Sequence, residues 1–179
     1  YKILVLTSKD IKNPSAGGGT WELFRLCKRL VDRGHSVRVI CGGFEGSRKH
    51  EYIQGIEVLR LGGFFSVYLH TLVRYLTSKE LRSCHVIIEV MLHGFPFFAT
   101  LFSRKPIIAL CWHLPRMTYF TELRQRFRFL AGSLLAGLCL FLEDKIVPLM
   151  YRNVPVFTFS ESSKRDLIQT GYNKVYVKD

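Results

Sequence analysis

Gly17, Gly18 and Gly19 follow Pro14-Ser15-Ala16 and lead into a segment with helical apolar spacing. A glycine triplet has no Cβ atoms to hold a ligand away. Its amides, together with the free N–H groups at the start of a helix, can close around a phosphate or a polyhydroxylated group. The same three residues can also form nothing more than a tight turn. A second chemical concentration is basic and aromatic: Arg116, Arg124, Arg126 and Arg128 are mixed with Tyr119, Phe120, Phe127 and Phe129. Phe120, Leu123, Phe127 and Leu130 form an apolar stripe, with Arg124 and Arg128 together on another face. That pattern fits an interfacial amphipathic helix in which Arg116, Arg124 and Arg128 meet an anionic membrane, or else a solvated basic face.

Other chemistries are disfavoured by what is absent. A dinucleotide site needs G-x-G-x-x-G directly after the first strand and an acidic residue ending the second, where this chain has Cys41-Gly42-Gly43. There is no G-x-x-x-x-G-K-[ST], so a P-loop nucleotidase is unsupported. The 5 cysteines include no C-x-x-C pair, and four of them sit in apolar patterns. They are expected to be core residues of a reduced, cytosolic protein, with neither zinc nor disulfides. The formal charge of +12 on 179 residues calls for an anionic partner. Nucleic acid is set aside because no RNA-binding signature accompanies the charge.

The elements that must position these groups alternate. Lys2 to Leu6 is a strand buried on both faces, Leu23 to Val31 an amphipathic helix ending at Gly34, and His35 to Cys41 a second strand. Further strands are expected at 55–61, 85–90, 105–112, 155–160 and 175–177. Helices fall at 66–81, before Phe102, through most of 118–152, and from Glu161. Phe129 to Leu142 is apolar for about fourteen residues, short of the roughly twenty that span a bilayer, and reads as a buried or membrane-surface helix. The expectation is one α/β domain, a Rossmann-like doubly wound parallel sheet of six or seven strands ordered 3-2-1-4-5-6. Ligands of such sheets bind beyond the carboxyl ends of the strands, which selects Gly17 to Gly19, Gly42, Gly43, His93, His113 and Ser160. His93 can border a ligand or only precede the turn Gly94-Phe95-Pro96, and Ser160 can touch a ligand or simply cap a helix. Glu89, in a buried strand, must face a cleft or have a cationic partner.

Ala16-Gly17-Gly18-Gly19 after strand one, Gly34-His35-Ser36-Val37 before strand two, His113 closing strand five and Phe159 to Leu167 (FSESSKRDL) together resemble the N-terminal domain of group 1, family 4 glycosyltransferases. The resemblance spans the chain. It implies one half of a GT-B fold, residues 1–179, with the C-terminal donor-binding domain and its glutamate pair absent, so that the chain would not turn over alone. The implied activity is retaining transfer of a sugar from a nucleotide sugar to an acceptor, with no cofactor and no metal. The basic helix suits a lipid-linked acceptor and a cytoplasmic, peripheral place on the inner face of the cell membrane. The resemblance makes Gly17, Gly18 and Gly19 the segment that meets donor diphosphate or acceptor. It makes His113 the active-site histidine, either a base or a group that positions substrate. A non-catalytic GT-B-like module that binds a sugar nucleotide or a partner protein is the competing expectation.

Overall fold

The computed structural model describes residues 1–63, 65–91, 96–114 and 129–178, and of residues 129–131 and 135 the backbone alone. Its contacts divide into two units, Tyr1–Val90 with Phe97–Ile108, and Met91–Pro96 with Ala109–Asp179.

The first unit runs β1 (Lys2–Leu6), α1 (Gly18–Asp32), β2 (Ser36–Cys41), β3 (His50–Ile53), β4 (Ile56–Arg60), α2 (Val67–Thr77), α3 (Lys79–Arg82), β5 (Val86–Val90) and α4 (Ala99–Phe102). Side chains alternate across a strand, so β1 serves two layers. Leu4 and Leu6 join Ile40, Val67, Tyr75, Ile87 and Phe97 in one cluster under α2 and α4. On α1, the buried Leu23, Phe24 and Cys27 form the inward stripe, while Lys28 pairs with Asp32 one turn on. α1 packs on β2 and β4.

β6 (Ile107–Leu110) leads into the second unit. There α5 (Phe129–Phe141), a π-helical turn (Leu142–Ile146) and α6 (Val147–Tyr151) are followed by β7 (Val156–Thr158), α7 (Glu161–Thr170) and β8 (Val175–Val177). The widened turn comes just before Pro148, which has no N–H to give to the carbonyl four residues back. Val147, Tyr151, Val156, Leu167 and Tyr172 are buried.

The strands lie in the order β3-β4-β2-β1-β5-β6-β7-β8. The pairs β1–β2, β1–β5, β2–β4, β6–β7 and β7–β8 are parallel. The fold class and the expected order hold, with one strand added. β3 pairs antiparallel with β4 through a two-residue turn at Gln54 (φ 53°) and Gly55 (φ 80°). Positive φ at both positions is the hairpin turn whose twist matches the strands, and glycine takes it without strain.

The helix expected at 66–81 is two. Ser78 leaves helical geometry at φ −97° and ψ 111°, and its Oγ accepts the Leu81 N–H at 3.3 Å. The Arg82 guanidinium donates to the freed carbonyls of Tyr75 and Leu76, which closes the end of α2. The helix expected through 118–152 is present over 129–151, and its first part lies outside the described residues.

Candidate functional site

In the first unit the carboxyl ends of β1, β2 and β4 are joined backbone to backbone. The Gly42 N–H donates to Ser8 O at 3.1 Å and the Gly43 N–H to Gly62 O at 2.8 Å. A Cβ on Gly42 would sit 3.0 Å from Ser8 O, and one on Gly43 3.0 Å from Gly62 O, so that the facing loop would have to give by a few tenths of an ångström. These two glycines are there so that three loops can touch.

Beneath those loops lies an ion cluster that the sequence reading does not single out. Arg60, at the end of β4, donates from Nε to Asp10 Oδ2 at 2.7 Å and from Nη2 to Asp10 Oδ1 at 3.0 Å. Its Nη1 donates to Arg48 O at 2.8 Å, and Nη2 also lies 2.6 Å from Glu51 Oε1. Lys12 Nζ reaches Glu51 Oε2 at 2.7 Å, and the Lys12 N–H donates to Asp10 Oδ1 at 2.8 Å. Asp10 and Arg60 are both buried, so the fork geometry offsets a large desolvation cost. Burial raises the Asp10 pKa, but the bonds from Arg60 and Lys12 outweigh it and leave the carboxyl below its ordinary value. One signal was available: Arg60 shares the inward face of β4 with Ile56 and Val58, where a charge needs a counterion.

From Asp10 the chain steps through two turns to the glycines. Asn13 N–H donates to Asp10 O at 3.1 Å, Ala16 N–H to Asn13 O at 2.8 Å, and Asn13 Oδ1 accepts the Ser15 N–H at 2.9 Å. Gly17 is the N-cap of α1, extended at φ −104° and ψ −176°, and gives no side-chain cap. The first turn of α1 carries no acidic residue. A Cβ on Gly17 or Gly18 would meet nothing within 4 Å. The positive end of a 15-residue helix is thus left without a side-chain cap, with open space before it.

In the second unit, His113 lies three residues beyond the end of β6, with its side chain exposed. The neighbouring backbone is tied down. Ser163 Oγ donates to Trp112 O at 2.9 Å, Ser160 Oγ donates to Ser163 Oγ at 2.9 Å, and the Ser163 N–H donates to Ser160 Oγ at 3.1 Å. Trp112 stacks on Phe159 with ring centroids 4.8 Å apart, and Lys178 Nζ lies 5.2 Å from the Phe159 centroid. Ser160 is therefore the N-cap of α7, and through Ser163 that cap holds the segment carrying His113. The Ser163 bond to Trp112 and the Trp112–Phe159 stack are not given by the sequence, which gives no hint of tertiary contacts between residues so far apart.

Cys111 is buried beside these groups, and burial with the Glu143 charge pushes its thiol up to about 12. It is no nucleophile at neutral pH. Cys27, Cys41 and Cys84 are buried as expected, and Cys139 is half-buried. Glu89 and Glu143 are both fully buried. His93, Arg116, Arg124 and Arg128 lie outside the described residues. Among the described residues no group of three or more His, Cys, Asp or Glu could hold a metal ion. None of the described helices is long and apolar enough to cross a membrane.

No protein-family model matches the chain, and no curated protein matches it. Among solved structures it resembles sucrose-phosphate synthase from Thermosynechococcus elongatus, with a TM-score of 0.69 and 14% sequence identity. The likeness covers 98% of this chain and 47% of that one, so the chain spans about half the length of its structural neighbour. At that identity the likeness is one of fold: an eight-stranded, mostly parallel sheet with flanking helices, similar to a GT-B glycosyltransferase domain.

Proposed function

We propose that this chain is the acceptor-side domain of a retaining glycosyltransferase of family 4, which moves a sugar from a nucleotide sugar to an acceptor at the membrane. The observation that carries the reading is the start of α1. Glycine in a helix costs up to about 1 kcal/mol relative to alanine, yet no neighbour among the described residues accounts for the missing Cβ at Gly18. A ligand that packs against the backbone supplies the reason. In this reading the N–H groups of Gly18 and Gly19 face a donor phosphate or a sugar hydroxyl as the bond from the anomeric carbon to phosphate breaks. The acceptor oxygen bonds that carbon from the same face, its proton passes to the leaving phosphate, and the nucleoside diphosphate departs.

His113 hydrogen-bonds a hydroxyl of the transferred sugar, His93 and Ser160 border the acceptor, and no metal takes part. Arg116, Arg124 and Arg128 contact anionic headgroups on the cytoplasmic face, where a lipid-linked acceptor is presented. The test is to supply the full-length gene product with labelled nucleotide sugars and membrane extract. Label should enter acceptor with the anomeric configuration of the donor kept. Gly18→Val should cut that transfer at least about tenfold, near 1.4 kcal/mol, with the fold intact. Inverted product would reject the retaining reaction, and nucleotide-sugar binding without transfer would leave a binding module.

A further inference from the structure

Where its side chains are described, the outward side of α5 is apolar. Among its described residues the exposed ones are Leu134, Gly137, Leu138 and Phe141, and the three large side chains are 77%, 54% and 56% exposed. They recur at i, i+4 and i+7, one stripe on the helix, and Leu149 on α6 is 70% exposed. The apolar stripe of α2, Leu69, Val73 and Leu76, differs in kind, because exposed His70, Arg74 and Thr77 stand among it. A helix with no polar outer face does not belong in water.

Charge says what covers it. No exposed carboxylate is described between residues 132 and 160: Glu143 is buried and Asp144 half-buried, whereas Lys145 and Arg152 are exposed. A second copy of a chain carrying +12 would be repelled, and an anionic surface attracted. At about 1.5 Å per residue α5 is roughly 20 Å long, against about 30 Å of hydrocarbon, so it lies along a bilayer rather than through it. We infer that α5 inserts its Leu134, Leu138 and Phe141 stripe into the headgroup boundary of an anionic bilayer. This rests on the membrane placement in the proposed function and adds an apolar anchor to it, independent of the arginines at 116–128.

The test compares the full-length gene product with its L134S/L138S/F141S variant by co-sedimentation with phosphatidylcholine vesicles, with and without phosphatidylglycerol. The parent should sediment with the anionic vesicles, and partly so in high salt, because apolar insertion is not screened. The variant should partition at least about tenfold less, with unchanged melting temperature, since the substituted side chains are exposed. In an L138W variant, the emission difference from the parent should shift to the blue on anionic vesicles. An unmoved L138W emission, undiminished binding by the triple variant, or a parent dimer that the triple variant dissolves would each overturn the inference. Transfer to a water-soluble acceptor reports on the chemistry alone. A parent that transfers sugar but does not bind anionic vesicles rejects the α5 anchor, and a parent that binds them without transfer rejects the glycosyltransferase.

Discussion

Asp10 and Arg60 show how a buried ion pair fixes segments that stand far apart in the sequence. Arg60 ties the end of β4 to the loop after β1, the segment between β2 and β3, and β3 itself through four oxygens, on Asp10, Arg48 and Glu51. Asp10→Asn leaves a buried guanidinium poorly paired and should lower stability by about 3 kcal/mol in chemical denaturation at neutral pH. The pH dependence has a definite sign. The carboxyls of Asp10 and Glu51 both titrate below their ordinary values of 3.8 and 4.5. Their contribution is full above those values and is lost as pH falls through the lower folded ones. Acid unfolding of the parent should therefore steepen below about pH 4, and Asp10→Asn should flatten that limb. An unchanged acid limb would mean that other carboxylates dominate. His113 is different: it is exposed, so its role must be read in kinetics rather than in melting.

At the scale of elements, α1 offers a test in which fold and ligand part company. Gly17→Asp places a carboxylate at the N-cap, in an extended conformation that aspartate accepts, and should raise stability by a few tenths to about 1 kcal/mol. The same charge repels a phosphate, so the proposed transfer by the full-length gene product should fall while its melting temperature rises. A parallel rise in both would remove the anion from the account. Gly42→Ala should behave oppositely and melt lower, because its Cβ meets two carbonyl oxygens.

The elements legible in sequence were those buried on both faces or amphipathic at one period, such as β1 and α1. β3 was not legible because His50 and Tyr52 are exposed, so the segment has no apolar run, and its turn begins with Gln54 rather than Asn or Asp. The break at Ser78 hid inside a helical pattern, since capping depends on which carbonyls a distant Arg82 can reach. At the candidate site, Ser160 as an N-cap was legible from its position before Glu161, but the Ser163 link to Trp112 joins residues 51 positions apart and is a product of folding.

At the scale of the whole molecule, the chain joins a mostly parallel sheet, similar in fold to a GT-B glycosyltransferase domain, to a strongly basic composition. The proposed binding to anionic surfaces should weaken with salt, because a Debye length of about 8 Å at physiological ionic strength limits how far exposed cations act. The central claim is that this fold serves sugar transfer with His113 at the reacting sugar. It is tested most directly by the turnover of labelled nucleotide sugar by the full-length gene product and by its His113→Ala variant, each normalised to folded protein. The account predicts transfer by the parent and a loss of roughly a hundredfold in the variant, near 2.7 kcal/mol of barrier, at unchanged melting temperature. Equal turnover in the two proteins, or no transfer by the parent from any nucleotide sugar, would contradict it.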